Sequence, residues 1–143
     1  MAEYPLKILV ATDGSQASEH ALRHATDLYP LIGSELHMVM VGLISQWTHP
    51  DTLSASQLER IRQETEERLA NEADKLRQMG TEDVFTHVRL GKVDSEIVRL
   101  ADDLGIGLIV IGNRGVGSLE RLLLGNDAES VVRHASCGVL VVR

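Results

Sequence analysis

The stretch Leu108-Ile-Val-Ile-Gly112-Asn-Arg-Gly115-Val-Gly117-Ser-Leu-Glu-Arg-Leu-Leu-Leu-Gly125-Asn126-Asp127-Ala-Glu129 decides how the rest of the chain is read. It opens as an apolar run, Leu108 to Ile111, too short to be a helix, and glycines follow at 112, 115, 117 and 125. A new amphipathic segment begins just after the last of them. An apolar strand ending in a glycine-rich loop that opens a helix can cradle a phosphate. Glycines let backbone N–H groups come close, and the unpaired N–H groups of a helix start favour negative charge. The expectation is a nucleotide-phosphate site in this loop, with the remaining residues as its scaffold.

Upstream, strand and helix patterns alternate. Lys7 to Ala11 is a compact aliphatic run read as a buried strand, and Thr12-Asp13-Gly14-Ser15 ends it with turn chemistry. Ser15 is placed to cap a helix from Gln16 to Tyr29, with Pro30 just beyond its end. Leu36 to Val41 is a second strand. Gly42 to Thr52 has no stable period and is long for a connection in so small a domain, as lids often are. Ser54 or Ser56 then caps a helix reaching Met79, whose buried side is marked by Leu58, Ile61, Leu69, Ala73, Leu76 and Met79. Glu64, Glu66, Glu67 and Arg68 read as its solvated face.

Val84 to Leu90 alternates as a third strand with one wetter face, and Asp94 can cap a helix carrying Ile97, Ala101 and Leu104, closed by Gly105. After the fourth strand, Leu108 to Ile111, come a helix from about Asp127 to Ala135 and a fifth strand, Val139 to Val142. This alternation calls for an α/β fold, a Rossmann-like open parallel five-stranded sheet with helices on both faces. Right-handed crossovers leave few layouts, and the simplest has the order 3-2-1-4-5. Ligands in such sheets sit where the winding reverses, here between strands one and four. The flanking strand ends are Ala11-Thr12-Asp13 and Gly112 onward, so topology and the glycine loop choose the same place.

Composition narrows the classes. A length of 143 residues suits one domain, 1–143, able to bury a real core. Aromatics make up 3%, so the core should be aliphatic and stacking surfaces for single strands of nucleic acid are few. A net charge of −7 argues against nonspecific binding to nucleic acid or to an anionic membrane. The lone cysteine, Cys137, cannot form an internal disulfide and reads as an inert buried thiol. No apolar run approaches the ~20 residues of a membrane span. Met1-Ala-Glu-Tyr-Pro lacks the regions of a signal peptide, and the expected address is the cytoplasm.

Several phosphate signatures are excluded. The chain contains no Gly-x4-Gly-Lys-Ser/Thr, and Gly115-x-Gly117 lacks the third glycine of a dinucleotide fingerprint, Glu120 standing there. What remains, Gly112-x2-Gly115-x9-Gly125-Asn126, resembles the Gly-x2-Gly-x9-Gly-Ser/Thr signature of the universal stress protein family. Lys7-Ile-Leu-Val-Ala-Thr-Asp13-Gly-Ser15 is similar to the family's opening strand and Ser136-Cys-Gly-Val-Leu-Val-Val142 to its closing one, so the likeness covers essentially the whole chain.

The resemblance implies the fold just derived and an ATP-binding stress-response regulator, a nucleotide-dependent switch or chaperone-like factor. Ala11, Thr12 and Asp13 would line the adenosine side, with Asp13 accepting from a ribose hydroxyl. Val41 would pack on adenine, and Ile111 and Gly112 would continue that wall. Gly115, Gly125, Asn126 and Asp127 would meet the phosphates of ATP, ADP or AMP, with Arg114 and Arg121 as further phosphate partners. Asp13 would also be the place for Mg²⁺. The resemblance further implies a homodimer paired through Val139 to Val142.

The chain departs from the family pattern at Asn126-Asp127-Ala128. Asn126 stands where Ser or Thr is usual; it can donate to a phosphate, or simply cap the helix with Glu129 in a capping box. Asp127 gains about 0.3–1 kcal/mol from the helix dipole. A phosphate charge about 6–7 Å away repels it by roughly 2.5 kcal/mol at an effective dielectric of about 20. An inward carboxylate therefore predicts weaker nucleotide binding, unless Mg²⁺ or an arginine bridges it. His20 and His24 are spaced to share a metal but read better as surface histidines, and no Gly-x-Ser-x-Gly elbow is present. A nucleotide-free interaction module and a weak ATPase are the alternative functions.

Overall fold

A computed structural model of the chain describes residues 4–43, 53–113 and 126–143. Its elements are β1 (Leu6–Ala11), α1 (Gln16–Ile32), β2 (Gly33–Leu43), α2 (Ala55–Gln78), β3 (Val84–Gly91), α3 (Val93–Leu104), β4 (Leu108–Gly112), α4 (Asn126–His134) and β5 (Gly138–Val142). The strands form one sheet in the order β3-β2-β1-β4-β5, every neighbouring pair parallel. The expected architecture is therefore the observed one.

Successive side chains of a strand point to opposite faces, so a strand covered on both sides must be apolar throughout. β1 is such a strand. Ile8 and Val10 pack with Leu36, Met38 and Met40 against Ala21, Leu22 and Ala25 of α1 and Leu69, Ala73 and Leu76 of α2. Leu9 and Ala11 pack with Val39, Ile109 and Ile111 against Ile97, Leu100 and Ala101 of α3 and Ala128 and Val131 of α4. Phe85 lies exposed, and the core is aliphatic as its composition requires.

The caps match the local signals. Ser15 accepts the Ser18 N–H at 3.2 Å. Ser54, not Ser56, caps α2, in a reciprocal capping box with Gln57. Gly105 closes α3 in the left-handed conformation, φ 70°. The boundaries of α1 and α3 differ from expectation for identifiable reasons. α1 runs through Pro30 to Ile32, because a proline in the final turn forfeits one N–H bond without ending the turn, and Gly33 N–H closes it on the Tyr29 carbonyl. α3 begins at Val93 with Lys92 as its cap residue, so Asp94 lies inside the first turn and its carboxylate is used elsewhere. β2 extends to Leu43, and residues 44–52 of the irregular connection lie outside the described residues.

β3 was expected to have one wetter face. As the sheet edge it is only partly covered on both, with Phe85 and Thr86 exposed. Beside it His37, 5% exposed, stacks on Phe85 and His87 at centroid separations of 4.9 and 5.1 Å. His37 Nε2–H donates to Glu35 Oε1 at 2.9 Å, and one proton joins His37 Nδ1 to His87 Nε2 across 2.9 Å. Burial, then the neighbouring His37 and Arg89, push the His87 pKa below its ordinary value. The folded state therefore binds this proton less readily than the unfolded chain. The stability tied to a neutral His87 is intact above about pH 6.5 and is lost as pH falls from there through the lower folded value. Urea midpoints at pH 7.5 and 5.5 are expected to differ less in His87→Gln than in the parent; an equal drop in both contradicts it.

Candidate functional site

β1 and β4 lie side by side at the sheet centre, Ile8 opposite Leu108 and Val10 opposite Val110. From β1 the chain winds outward to β2 and β3, and from β4 it winds the other way to β5, and a reversal of this kind opens a crevice at the carboxyl ends of the two strands. Ala11, Val41 and Ile111 belong to one apolar cluster on the α3 and α4 side of the sheet. Gly112 lies tight against the first turn of α1. A Cβ there would stand 2.8 Å from the Ala17 backbone carbon and oxygen and 3.1 Å from Ser18 N, so only glycine lets β4 end against the first turn of α1. Asn113 N–H then donates to the Val142 carbonyl at 2.7 Å. Its Oδ1 is buried without a hydrogen-bond partner among the described residues.

Thr12 is buried, and its N–H continues the sheet by donating to the Val39 carbonyl at 3.0 Å. Asp13 Oδ1 accepts the Ser15 N–H at 2.9 Å, which shapes the turn into α1. Across the crevice, the first turn of α4 carries Asn126 and Asp127 on exposed positions. Burial first, then the charges of Asp94 and Asp13, raise the Asp127 pKa, with Lys92 opposing them. The Asp127 carboxyl, though on an exposed position, thus lies near enough to Asp94 and Asp13 to feel both charges.

Asp94 ties the two helices that flank this end. Ser130 Oγ–H donates to its Oδ2 at 2.5 Å, and Lys92 Nζ lies 3.8 Å away. Burial pulls the Asp94 pKa up, but the Ser130 hydroxyl, the Ser95 N–H and Lys92 outweigh it and hold the carboxyl below its ordinary range. Glu129 pairs with Arg133 at 2.9 Å.

The structure therefore brings together Ala11, Thr12, Asp13, Val41, Ile111, Gly112 and Asp127, with Asn126 at the start of α4. Arg114, Gly115, Gly117, Arg121 and Gly125 lie outside the described residues. Among the described residues no group of three or more His, Cys, Asp or Glu is placed to hold a metal ion. His24 Nδ1 instead bonds the His20 carbonyl at 2.9 Å, as a surface histidine on its own helix does. Cys137 is half-buried, and burial followed by Asp102 raises its thiol pKa, which makes it a poor nucleophile. An open groove of about 460 Å³ between α2 and β3, lined by Arg62, Glu66, Ala73 and Val88 among others, lies at the sheet edge and not at the crevice.

Sequence reasoning missed two residues beside the turn. Arg68, read as solvated, donates from Nη2 to the Asp13 carbonyl at 2.6 Å. Glu72 is 4% exposed and accepts from the Thr12 hydroxyl at 2.9 Å. A usable signal existed: Glu72 interrupts the buried stripe Leu69, Ala73 and Leu76, and a carboxylate does not enter an apolar stripe without a partner.

Known proteins share the sequence pattern and the fold. The model of the Universal stress protein family matches residues 6–143. A Staphylococcus haemolyticus protein named for that family is 33% identical over 137 residues, 95% of this chain and 83% of that protein. The protein MJ0577, whose structure was used to assign its biochemical function, matches with a TM-score of 0.83 at 27% identity, over 98% of this chain and 96% of that one. Two further likenesses are of fold alone. An Archaeoglobus fulgidus universal stress protein in complex with dAMP has a TM-score of 0.67 and 23% identity, over 96% of this chain and 98% of that one. A universal stress protein in complex with cAMP has a TM-score of 0.74 and 22% identity, over 96% of this chain and 97% of that one. This chain belongs to the universal stress protein family.

Proposed function

We propose that this protein binds an adenine nucleotide at the β1/β4 crevice and acts as a nucleotide-dependent regulator in the cytoplasm. The observation that carries the reading is the convergence of Ala11, Val41 and Ile111 as an apolar wall beside Asp13 and Gly112, at the point where the winding reverses. In this reading adenine packs on that wall and the Asp13 carboxylate accepts from a ribose hydroxyl. The phosphates of ATP, ADP or AMP meet the backbone of Gly115, Gly125, Asn126 and Asp127 with help from Arg114, and Mg²⁺ would sit between them and Asp13. Relatives of the same fold in complex with dAMP and cAMP support the adenine class. The regulator is a homodimer through β5, whose outer edge carries no strand among the described residues and whose Val139, Leu140 and Val141 are only half-buried.

Chromatography of the supernatant from heat-denatured protein is expected to show released adenine nucleotide. ATP at ten times its Kd should raise the Tm by roughly 3–6 °C. No released nucleotide, together with no shift from ATP, AMP or cyclic AMP, would assign the chain instead to interaction modules that keep the fold without the ligand.

A further inference from the structure

The turn that presents Asp13 is gripped by one face of α2. Arg68 and Glu72, one helical turn apart, reach it together. Arg68 Nη2 donates to the Asp13 carbonyl at 2.6 Å, and the Thr12 hydroxyl donates to Glu72 Oε1 at 2.9 Å. Glu72 Oε2 takes the Lys75 ammonium at 2.8 Å. Thr12 Oγ1 in turn accepts the Gly14 N–H at 3.3 Å. From the other side Ser18 Oγ accepts the Asp13 N–H at 3.4 Å, and the Ser15 N–H holds Asp13 Oδ1 at 2.9 Å. Asp13 is thus pinned at its amide, its carbonyl and one carboxylate oxygen.

Packing alone does not call for this arrangement. The Glu72 position lies among Leu69, Ala73 and Leu76, where an apolar side chain would be buried without the cost of dehydrating a charge. What the carboxylate adds is a directional bond to the residue before Asp13. Arg68 adds a bond to Asp13 itself from an exposed helix face. Neither residue is part of the crevice wall.

We propose that Arg68 and Glu72 are positioning residues that aim the Asp13 carboxylate, so that α2 sets how strictly the site demands a ribose hydroxyl. This rests on the reading that Asp13 meets the sugar. A hydrogen bond between a hydroxyl and a carboxylate discriminates only while its geometry is kept. A loosened turn still lets adenine pack and phosphates bind, but it loses the penalty against a sugar lacking that hydroxyl.

Titrate ATP, 2′-deoxy-ATP and 3′-deoxy-ATP into the parent, Arg68→Met, Arg68→Lys and Glu72→Gln. The parent should prefer ATP over one deoxy analogue by about tenfold, as loss of a charge-assisted hydrogen bond implies. Arg68→Met and Glu72→Gln should reduce that preference to about twofold. Arg68→Lys, which keeps a donor, should retain most of it. In the free protein, hydrogen exchange at the amides of residues 13–15 should quicken about tenfold in Arg68→Met, whereas a residue important only for general stability would quicken exchange along α1 and β1 as well. A parent that discriminates, with variants that discriminate equally, overturns the positioning and leaves the nucleotide reading standing. A parent that binds no nucleotide overturns both. A parent that binds all three equally overturns the role of Asp13 at the sugar and, with it, this proposal.

Discussion

Asp127→Asn is expected to tighten adenine-nucleotide binding by roughly ten- to fortyfold at low salt. The carboxyl stands in the first turn of α4 and feels Asp94 and Asp13, which sets it beside the crevice proposed to hold the phosphates. A phosphate charge bound about 6–7 Å away would repel it by roughly 2.5 kcal/mol. The helix dipole returns about 0.3–1 kcal/mol. The repulsion wins, and asparagine removes it while keeping a similar shape. Because part of the effect runs through solvent, the gain should narrow as ionic strength rises.

The free protein should respond as well. With its pKa raised, Asp127 binds a proton more tightly when folded than when unfolded. Its favourable contribution is complete below the unfolded value of about 3.9 and is lost as pH rises through the folded value. At neutral pH the charged side chain opposes folding, and Asp127→Asn should melt higher than the parent. Calorimetric titration with ATP at two salt concentrations, beside melting curves at pH 7.5, checks both parts. Affinity unchanged within about twofold would put the phosphates elsewhere.

Gly112→Ala should damage stability and ligand binding together. The added Cβ would meet the Ala17 carbonyl carbon and oxygen at 2.8 Å and Ser18 N at 3.1 Å, and these are backbone atoms that cannot rotate away. Forcing β4 away from the first turn of α1 costs about 1–3 kcal/mol by analogy with overpacked cores. For a chain of this size that lowers the Tm by roughly 3–10 °C. Ser18 is also the residue whose Oγ receives the Asp13 N–H, so the displacement carries into the turn proposed to meet the ligand, and nucleotide affinity should fall by more than about tenfold. Gly138→Ala is the control, since its Cβ would find only ordinary contacts at 3.6 Å. Equal melting temperatures for the two variants would show that the approach at Gly112 is not tight.

Most of the architecture was legible because it is written in short-range patterns. The aliphatic runs Lys7 to Ala11 and Leu108 to Ile111 and the helical spacing of Leu69, Ala73 and Leu76 each declare themselves within a few residues. Handedness then leaves little choice of strand order. The glycine spacing placed the candidate site on β4, and Asp13 followed from the topology. Boundaries were less legible. Pro30 looked like a stop but sits in the last turn of α1, and Asp94 looked like a cap but turns toward Ser130.

By itself, the sequence determined the order of elements, the two-sided sheet and the aliphatic core, and it singled out the strand ends proposed to meet a ligand. Tertiary structure alone decided that Asp127 comes near Asp94 and Asp13, that His37 and His87 hydrogen-bond to each other, and that Arg68 and Glu72 hold the turn carrying Asp13. The physical reason is distance along the chain. Hydrophobic period and capping act between residues within a few positions of each other, whereas the Thr12–Glu72 bond joins residues 60 apart and His37–His87 residues 50 apart. Such contacts leave at most a break in the period, as at Glu72, which does not name the partner, and only the folded chain brings the two within a hydrogen bond of one another.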